Sequence, residues 1–202
     1  MRLLTLLLAA FLALTALVGA QDTPKRVVLG VPLRIADKNE PLTSAQAQQT
    51  LEEQIEQSSP DFDVVWIDPS DSRAAGFNLN NDLTPFQAQQ LGQAYKTDFV
   101  LWGSLDFEGK STNVPQTFGS QVYVTEMQMT GSSEVHLVSV STGNFILDRT
   151  YPIFSTRRTS AIEGSDAFIA QQADLAREFL QSMARDIVRN LKAKASQPPQ
   201  PD

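Results

Sequence analysis

The stretch 83–102, LTPFQAQQLGQAYKTDFVLW, contains one complete helix-to-strand unit. Thr84 precedes Gln87 by three residues, which is the spacing of a capping box at the start of a helix. Pro85 stands at the first helical position, where its missing N–H costs nothing. The apolar run that ends at Trp102 has the length and composition of a buried strand.

An earlier stretch, 42–66, has the same order of signals. Thr43 and Gln46 form a second capping box, the following residues are rich in Gln and Ala, and an apolar strand ends at Trp66. Ahead of it, residues 27–35 predict a first strand whose first half is apolar on both faces, with a bulge or an end of pairing at Pro32. The two units therefore predict helical crossovers laid on one sheet, with the strand order left open.

The pattern changes after Trp102. The strand continues to residue 107, a polar loop is predicted over 109–119, and 131–133 are predicted to interrupt the strands that follow. The remaining predicted strands alternate apolar and polar residues and cover 121–130, 135–140 and 145–154. A loop is predicted over 155–164. This half of the chain therefore indicates an antiparallel meander.

A long amphipathic helix is predicted next. Its apolar residues fall at helical spacing, and Ser165 or Asp166 can cap it. The apolar stripe consists of Phe168, Leu175, Phe179, Met183, Ile187 and Leu191, together with Ala176, Leu180 and Val188 beside them. Together these patterns predict an α/β fold, a three-layer mixed sheet with helical crossovers in the first half, an antiparallel meander in the second and a long C-terminal helix.

The first twenty residues have the features of a secretory signal. Arg2 is followed by an apolar run to Val18, and cleavage is predicted after Ala20. We therefore expect a signal peptide over 1–20, a single domain over 21–195 and a disordered proline-rich tail over 196–202. The mature protein is expected outside the cytoplasm, periplasmic or secreted, with no stable membrane span after cleavage.

The bulk composition limits the partners. Without the signal the chain has 202 − 20 = 182 residues, with 16 − 1 = 15 basic against 23 acidic side chains, or −8. Such a charge opposes binding of nucleic acid over a broad surface. The chain has no cysteine, so it can form neither a disulfide nor a thiolate site. A bacterial envelope protein is the class that this combination favours.

No catalytic or cofactor motif stands out. Gly103 and Gly109-Lys110-Ser111 imitate a phosphate loop, but five residues separate the glycines where the motif needs four, and no helix follows. His136 is the only histidine and lies within a predicted strand, so it completes no zinc site. We predict no cofactor.

Acidic residues follow several predicted strands, at Asp37, Asp68, Asp71, Asp106 and Glu108. Ligands of open α/β sheets bind at strand ends. Asp106 and Glu108 share one strand face and are the candidate ligands of a hard cation. The plainer interpretation is a set of turn acids beside a solvated face.

Arg157 and Arg158 are the candidate partner-binding residues. They form an adjacent basic pair in an acidic protein, inside the predicted 155–164 loop. Guanidinium groups suit the recognition of carboxylates at protein interfaces. The alternative is a solvated connector.

The segments TDFVLWGSL, 97–105, and VHLVSVSTGN, 135–144, together with the long final helix, resemble one superfamily of envelope proteins. Its members include the curli secretion channel, the N-terminal domain of the Tol–Pal translocation protein and the lipoprotein activators of penicillin-binding proteins. The resemblance implies a fold and a habit of binding envelope proteins. It carries over no functional residue, and this chain lacks the lipid-bearing cysteine of the channel and the activators.

The prediction from these observations is a non-enzymatic extracytoplasmic adaptor that binds a cell-envelope protein. Two alternatives remain. One is an extracytoplasmic enzyme dependent on a metal or small ligand and using the acids after the strands. The other is a pore-forming subunit in which 107–130 would be a membrane hairpin, with Tyr123, Met127 and Met129 on its lipid face.

Overall fold

A computed structural model describes residues 25–35, 41–79, 83–115 and 123–196. Its six-stranded mixed sheet has the order β3-β1-β4-β5-β6, and the short β2 also pairs with β4. The elements along the chain are β1 Arg26–Gly30, β2 Arg34–Ile35, α1 Ser44–Ser58, β3 Phe62–Trp66, a 3₁₀ turn Ser72–Ala74, α2 Pro85–Tyr95, β4 Phe99–Pro115, β5 Tyr123–Ser139, β6 Phe145–Thr159 and α3 Asp166–Ala195. The predicted α/β class and its two halves are confirmed.

Both predicted capping boxes are present. The Thr43 hydroxyl accepts from the Gln46 N–H at 3.2 Å, and the Gln46 side chain accepts from the Thr43 N–H at 2.9 Å. The corresponding distances at Thr84 and Gln87 are 3.3 and 3.0 Å. Each box satisfies two N–H groups that a helix start would otherwise leave unpaired. The starts of α1 and α2 are therefore set by local sequence.

The sheet separates two apolar cores, which gives the three predicted layers. Val28 belongs to the core under α1 and α3, while its neighbour Leu29 belongs to the core under α2. Successive side chains of a strand point to opposite faces. β1 is thus buried on both sides, between the parallel strands β3 and β4.

Pro32 lies at a break in the pairing with β4, as expected for a residue that has no N–H to donate. Gly30 is opposite Leu101 and Arg34 is opposite Ser104, so three residues of one strand face two of β4. β2 therefore continues β1 along β4 after a one-residue bulge.

The boundaries of the meander differ from the prediction. β4 runs without a break to Pro115, so the loop predicted from residue 109 is wrong for 109–115, and residues 116–122 lie outside the described part. β5 also continues through 131–133, where an interruption was predicted. Antiparallel sheets tolerate one solvated face, and polar residues on that face look like loop residues in the sequence.

The final helix packs as its periodicity predicts. Ser165 is the N-cap, and its side chain accepts from the Phe168 N–H at 3.3 Å. The fully buried members of the α3 stripe include Leu180, Met183, Ile187 and Leu191. Phe179 is the exception, because it is only half-buried at the margin of the core.

Two predictions concern residues outside the described part of the chain. The signal peptide over 1–20 and the tail beyond Ser196 lie outside that part, so both stay predictions. Within the described ranges, no helix has the length and hydropathy needed to cross a membrane. Met127 and Met129, the lipid face of the hypothetical membrane hairpin, are buried in the core under α3.

Candidate partner-binding surface on strand β6

Arg157 and Arg158 lie in β6, so the predicted loop is wrong at these positions. Arg157 is opposite Met127, and Arg158 is opposite Glu126, in a β5–β6 register that reaches Thr159. Thr159 is buried at the end of the strand. In the sequence, the mostly polar residues around Arg157 and Arg158 resemble a loop. They can nevertheless form the end of an edge strand, because such a strand needs apolar residues on only one face.

The two guanidinium groups point to opposite faces of the sheet. Arg157 reaches α3, where its Nη2 lies 2.5 Å from Oε1 of Glu178. Arg158 Nε lies 3.3 Å from Oε2 of Glu126, and 71% of the Arg158 side chain is exposed. Arg157 therefore links β6 to α3 through an ion pair, whereas most of the Arg158 side chain is exposed to solvent.

β6 is an edge of the sheet and carries an exposed aromatic side chain. Phe154 is 71% exposed, while the preceding Ile153 is buried at 3%. Pro152, Phe154, Thr156 and Arg158 alternate with inward-facing residues and are all exposed. We call these four residues the β6 edge surface.

More exposed apolar groups follow along the chain. Ile162 lies in the connection to α3, and Ile169 lies near the start of that helix; both are exposed. Sequence reasoning missed Phe154 because a phenylalanine in a strand is ordinarily a core residue. The signal that could have found it is the alternation itself, since Pro152 and Phe154 fall on the face opposite Ile153.

The predicted metal ligands do not converge. Asp106 and Glu108 are exposed on β4, and Glu108 is paired with Lys110 at 3.0 Å. Among the described residues there is no group of three or more metal-ligating side chains. Asp37 lies outside the described part.

Asp68 and Asp71 serve the turn after β3. The Ser70 N–H donates to Asp68 at 2.9 Å, and the Arg73 guanidinium lies 2.7 Å from Asp71. Hydrogen bonds from Arg73 lower the pKa of Asp71 to about 2. These carboxylates are ordinary turn acids with their partners in place.

His136 lies in an aromatic cluster on the face opposite α3. Its ring stacks on Trp102 with centroids 5.1 Å apart, and its Nδ1 lies 2.9 Å from a carboxylate oxygen of Asp148. Gly103 and Gly109, which resemble the glycines of a phosphate loop in the sequence, lie within the continuous strand β4. Neither feature forms a catalytic arrangement with the residues around it.

A buried carboxylate holds the middle of β6 against α3. Asp186 accepts from Arg149 Nη1 at 2.7 Å and from the Tyr151 hydroxyl at 2.6 Å, and Arg189 of its own helix binds the other oxygen. Burial acts to raise the pKa of Asp186, but the Tyr151 hydrogen bond and the two arginine charges outweigh it and lower that pKa. Burial and the Asp186 hydrogen bond raise the pKa of Tyr151.

We expect Asp186→Asn to lower the free energy of unfolding at pH 7 by about 1–2 kcal/mol, as the loss of charge-assisted hydrogen bonds does. A carboxyl with a lowered folded-state pKa stabilises the fold above its unfolded pKa of about 4, and that contribution disappears as the pH falls through the folded value. Urea denaturation at pH 7 and below pH 4 should therefore show a shallower acid loss in the variant. An acid loss as steep as in the wild type would contradict this role for Asp186.

Comparisons with known proteins concern the fold. No protein-family model matches the chain. No curated protein matches it either. Solved structures of similar arrangement include a hypothetical protein of Chlamydia trachomatis, with 16% identity, 84% of this chain and 99% of that one covered, and a TM-score of 0.48.

Two further solved structures are also similar in arrangement. The LpoB C-terminal domain from Salmonella enterica has 17% identity, 69% and 90% coverage of this chain and its own, and a TM-score of 0.39. Lipoprotein GNA1162 from Neisseria meningitidis has 13% identity, 79% and 99% coverage, and a TM-score of 0.40. At these identities and TM-scores the likeness assigns no function.

Proposed function

We propose that this protein is an extracytoplasmic, non-enzymatic module that binds a protein of the cell envelope through the β6 edge surface. The observation that carries the proposal is an exposed aromatic side chain, Phe154, on the same face of β6, the last strand of the described sheet, as the exposed cation Arg158. Aromatic residues and arginine are the side chains most enriched at protein interfaces. The predicted signal peptide supports the location.

The chemistry of this surface defines the partner segment. An extended segment can pair with the free backbone of an edge strand, and its alternate side chains then contact one face. An apolar side chain on the segment would cover Phe154. A carboxylate placed four residues along would lie about 13 Å away, next to Arg158. The expected partner segment is therefore extended, acidic and partly apolar.

Pro152 limits where such a segment can pair. Proline has no N–H to donate, and a strand interior tolerates it only at an edge or a bulge. The hydrogen-bonded part of the contact is therefore expected between Ile153 and Thr159, C-terminal to Pro152. This stretch includes both Phe154 and Arg158.

A photoreactive amino acid at position 154 tests the surface in intact cells. We expect it to crosslink a specific envelope protein, identified by mass spectrometry, because that position lies at the centre of the proposed contact. The matched control carries the same group in place of Arg185, which is exposed on α3. Adducts that are the same from both positions would refute the proposed surface.

Arg158→Ala should then weaken binding to that partner by about 2 kcal/mol, which is roughly 30-fold in affinity, as the loss of an interface arginine can do. Arg185→Ala is expected to bind as the wild type does. Since Arg158 is exposed, its removal should change the free energy of unfolding by less than about 0.5 kcal/mol. Equal affinities of wild type and Arg158→Ala would remove Arg158 from the interface.

A further inference from the structure

We propose that two copies of this chain associate through β6, with the two β6 strands antiparallel in one continuous sheet. Within the described part of the chain, β6 is the last strand of the sheet and pairs only with β5. Such a strand offers its backbone N–H and C=O groups to another strand, and a second copy is one way to cover them. The observation that carries this inference is that the exposed face of β6 is complementary to itself.

Pro152 indicates which backbone groups of β6 face outward. It lies within the strand, opposite Ser132 of β5. A sheet accommodates proline in an edge strand where its nitrogen points away from the neighbouring strand. Since this direction alternates from residue to residue, the even-numbered residues around Pro152 direct their N–H and C=O groups outward. The residues that can donate an N–H to a second strand are therefore Thr150, Phe154, Thr156 and Arg158.

An antiparallel pair centred on Ile153 matches the exposed side chains of the two copies. In this register, residues equally far before and after Ile153 lie opposite each other. The even-numbered residues from 148 to 158 are all exposed and share one face of the strand. They form one apolar, one hydroxyl and one charged contact, each present twice because the pair has two-fold symmetry. These contacts join Phe154 to Pro152, Thr156 to Thr150 and Arg158 to Asp148 of the second copy.

The charged contact selects this register. The Arg158 side chain is 71% exposed and that of Asp148 is 56% exposed, so each can bind a second copy in addition to its own neighbour, Glu126 or His136. Opposite charges directly across two strands stabilise their pairing, and like charges destabilise it. A pair centred on Pro152 or on Phe154 would place no acid opposite Arg158.

The face of β6 toward α3 is compatible with the same register. Arg149 lies opposite Arg157 of the second copy, which brings two like charges together. Each of these arginines has a carboxylate on its own α3, because Arg149 is paired with Asp186 at 2.7 Å and Arg157 with Glu178 at 2.5 Å. The repulsion between the two arginines is therefore offset within each copy.

The association goes beyond the proposed envelope contact and does not rest on it. A segment of an envelope protein that binds β6 would have to displace the second copy. The experiments below use the purified mature chain without any partner, so the failure of one proposal is distinguishable from the failure of the other.

Sedimentation velocity over a range of concentrations tests the dimer. We expect the wild type to show a reversible monomer–dimer equilibrium. Asp148→Arg and Arg158→Asp each place like charges at both ends of the junction, so either variant alone should dimerise about tenfold more weakly. An equal mixture of the two variants has opposite charges at both ends and should form mixed dimers with the affinity of the wild type. A wild type that stays monomeric up to roughly 1 mM, or a mixture no more dimeric than its components, would overturn the proposal.

Matched controls change the same charges elsewhere on the surface. Glu53→Arg and Arg185→Asp lie at exposed positions on α1 and α3 and should dimerise as the wild type does. Circular dichroism verifies that every variant is folded. Dimerisation that weakens as much in the controls as in the β6 variants would show that net charge, and not the β6 junction, governs it.

Single cysteines measure the register independently of charge, since the chain has none of its own. Positions 150 and 156 lie opposite each other across the junction, at a Cα separation of about 5.5 Å that a disulfide can bridge. Two copies of the same position lie about 20 Å apart along the strands. Mild oxidation should therefore link Thr150→Cys to Thr156→Cys in a mixture, and should link neither variant to itself. Equal crosslinking in the separate variants and in the mixture would refute the Ile153-centred pair.

Discussion

Gly131→Ala is expected to lower the free energy of unfolding by about 3 kcal/mol, at the upper end of the range for strained backbone positions. Gly131 lies within β5 at a φ of +149°, a conformation that side chains with a Cβ rarely adopt. A Cβ at this position would overlap the carbonyl oxygen of Asp106 and lie 2.7 Å from the Cα of Phe107. Both neighbours belong to the backbone of β4, so relief requires the two strands to separate.

Gly76→Ala is the matched control for this substitution. A methyl group added at Gly76 would meet no atom within 4 Å, and Gly76 lies outside the positive-φ region, so the change should stay within about 0.5 kcal/mol. Urea denaturation of both variants measures the difference. Similar free energies for the two variants would show that β4 and β5 do not approach each other this closely at Gly131.

The first half of the fold could be predicted because its signals are local. A capping box needs only four neighbouring residues, and both boxes form as the sequence indicates at Thr43 and Thr84. The bulge at Pro32 follows from the missing N–H of one residue. These features depend little on where the rest of the chain lies.

The meander was harder to predict because its strands have one solvated face. Gly131 resembles a break in the sequence, although in β5 it is the residue that lets the strand pass close to Asp106. Arg157 and Arg158 resemble a loop for a related reason. Their strand character comes from pairing with β5, which is set by residues about 30 positions earlier. The composition of the residues around Arg157 and Arg158 does not indicate that pairing.

The candidate sites depend even more on contacts between residues that are far apart in the sequence. Phe154 is a surface feature because β6 is the last strand of the described sheet and no helix of the described part of the chain covers this face of it. A pocket between the segments after β1 and β3 joins residues near 33 with residues near 77, which meet because β1 pairs with β3.

The core under α3 depends on a continuous apolar stripe on one side of the helix. Leu180, Met183 and Ile187 are almost completely buried there, against sheet residues such as Leu137. A helix within a folded protein gains most of its stability from such packing. The free energy of unfolding should therefore be most sensitive to the side chains at the centre of the stripe.

Leu180→Ala is expected to lower the free energy of unfolding by about 3–5 kcal/mol, because it removes buried methyl groups and leaves a cavity that the surrounding sheet can only partly fill. Ile169→Ala is the matched control on the same helix; since half of the Ile169 side chain is exposed, its replacement should cost less than about 1 kcal/mol. Phe179→Ala should fall between them, as its half-buried ring lies at the margin of the core. Urea denaturation at pH 7 ranks the three variants. A Leu180→Ala value no larger than that of Ile169→Ala would mean that α3 does not pack on the sheet through this stripe.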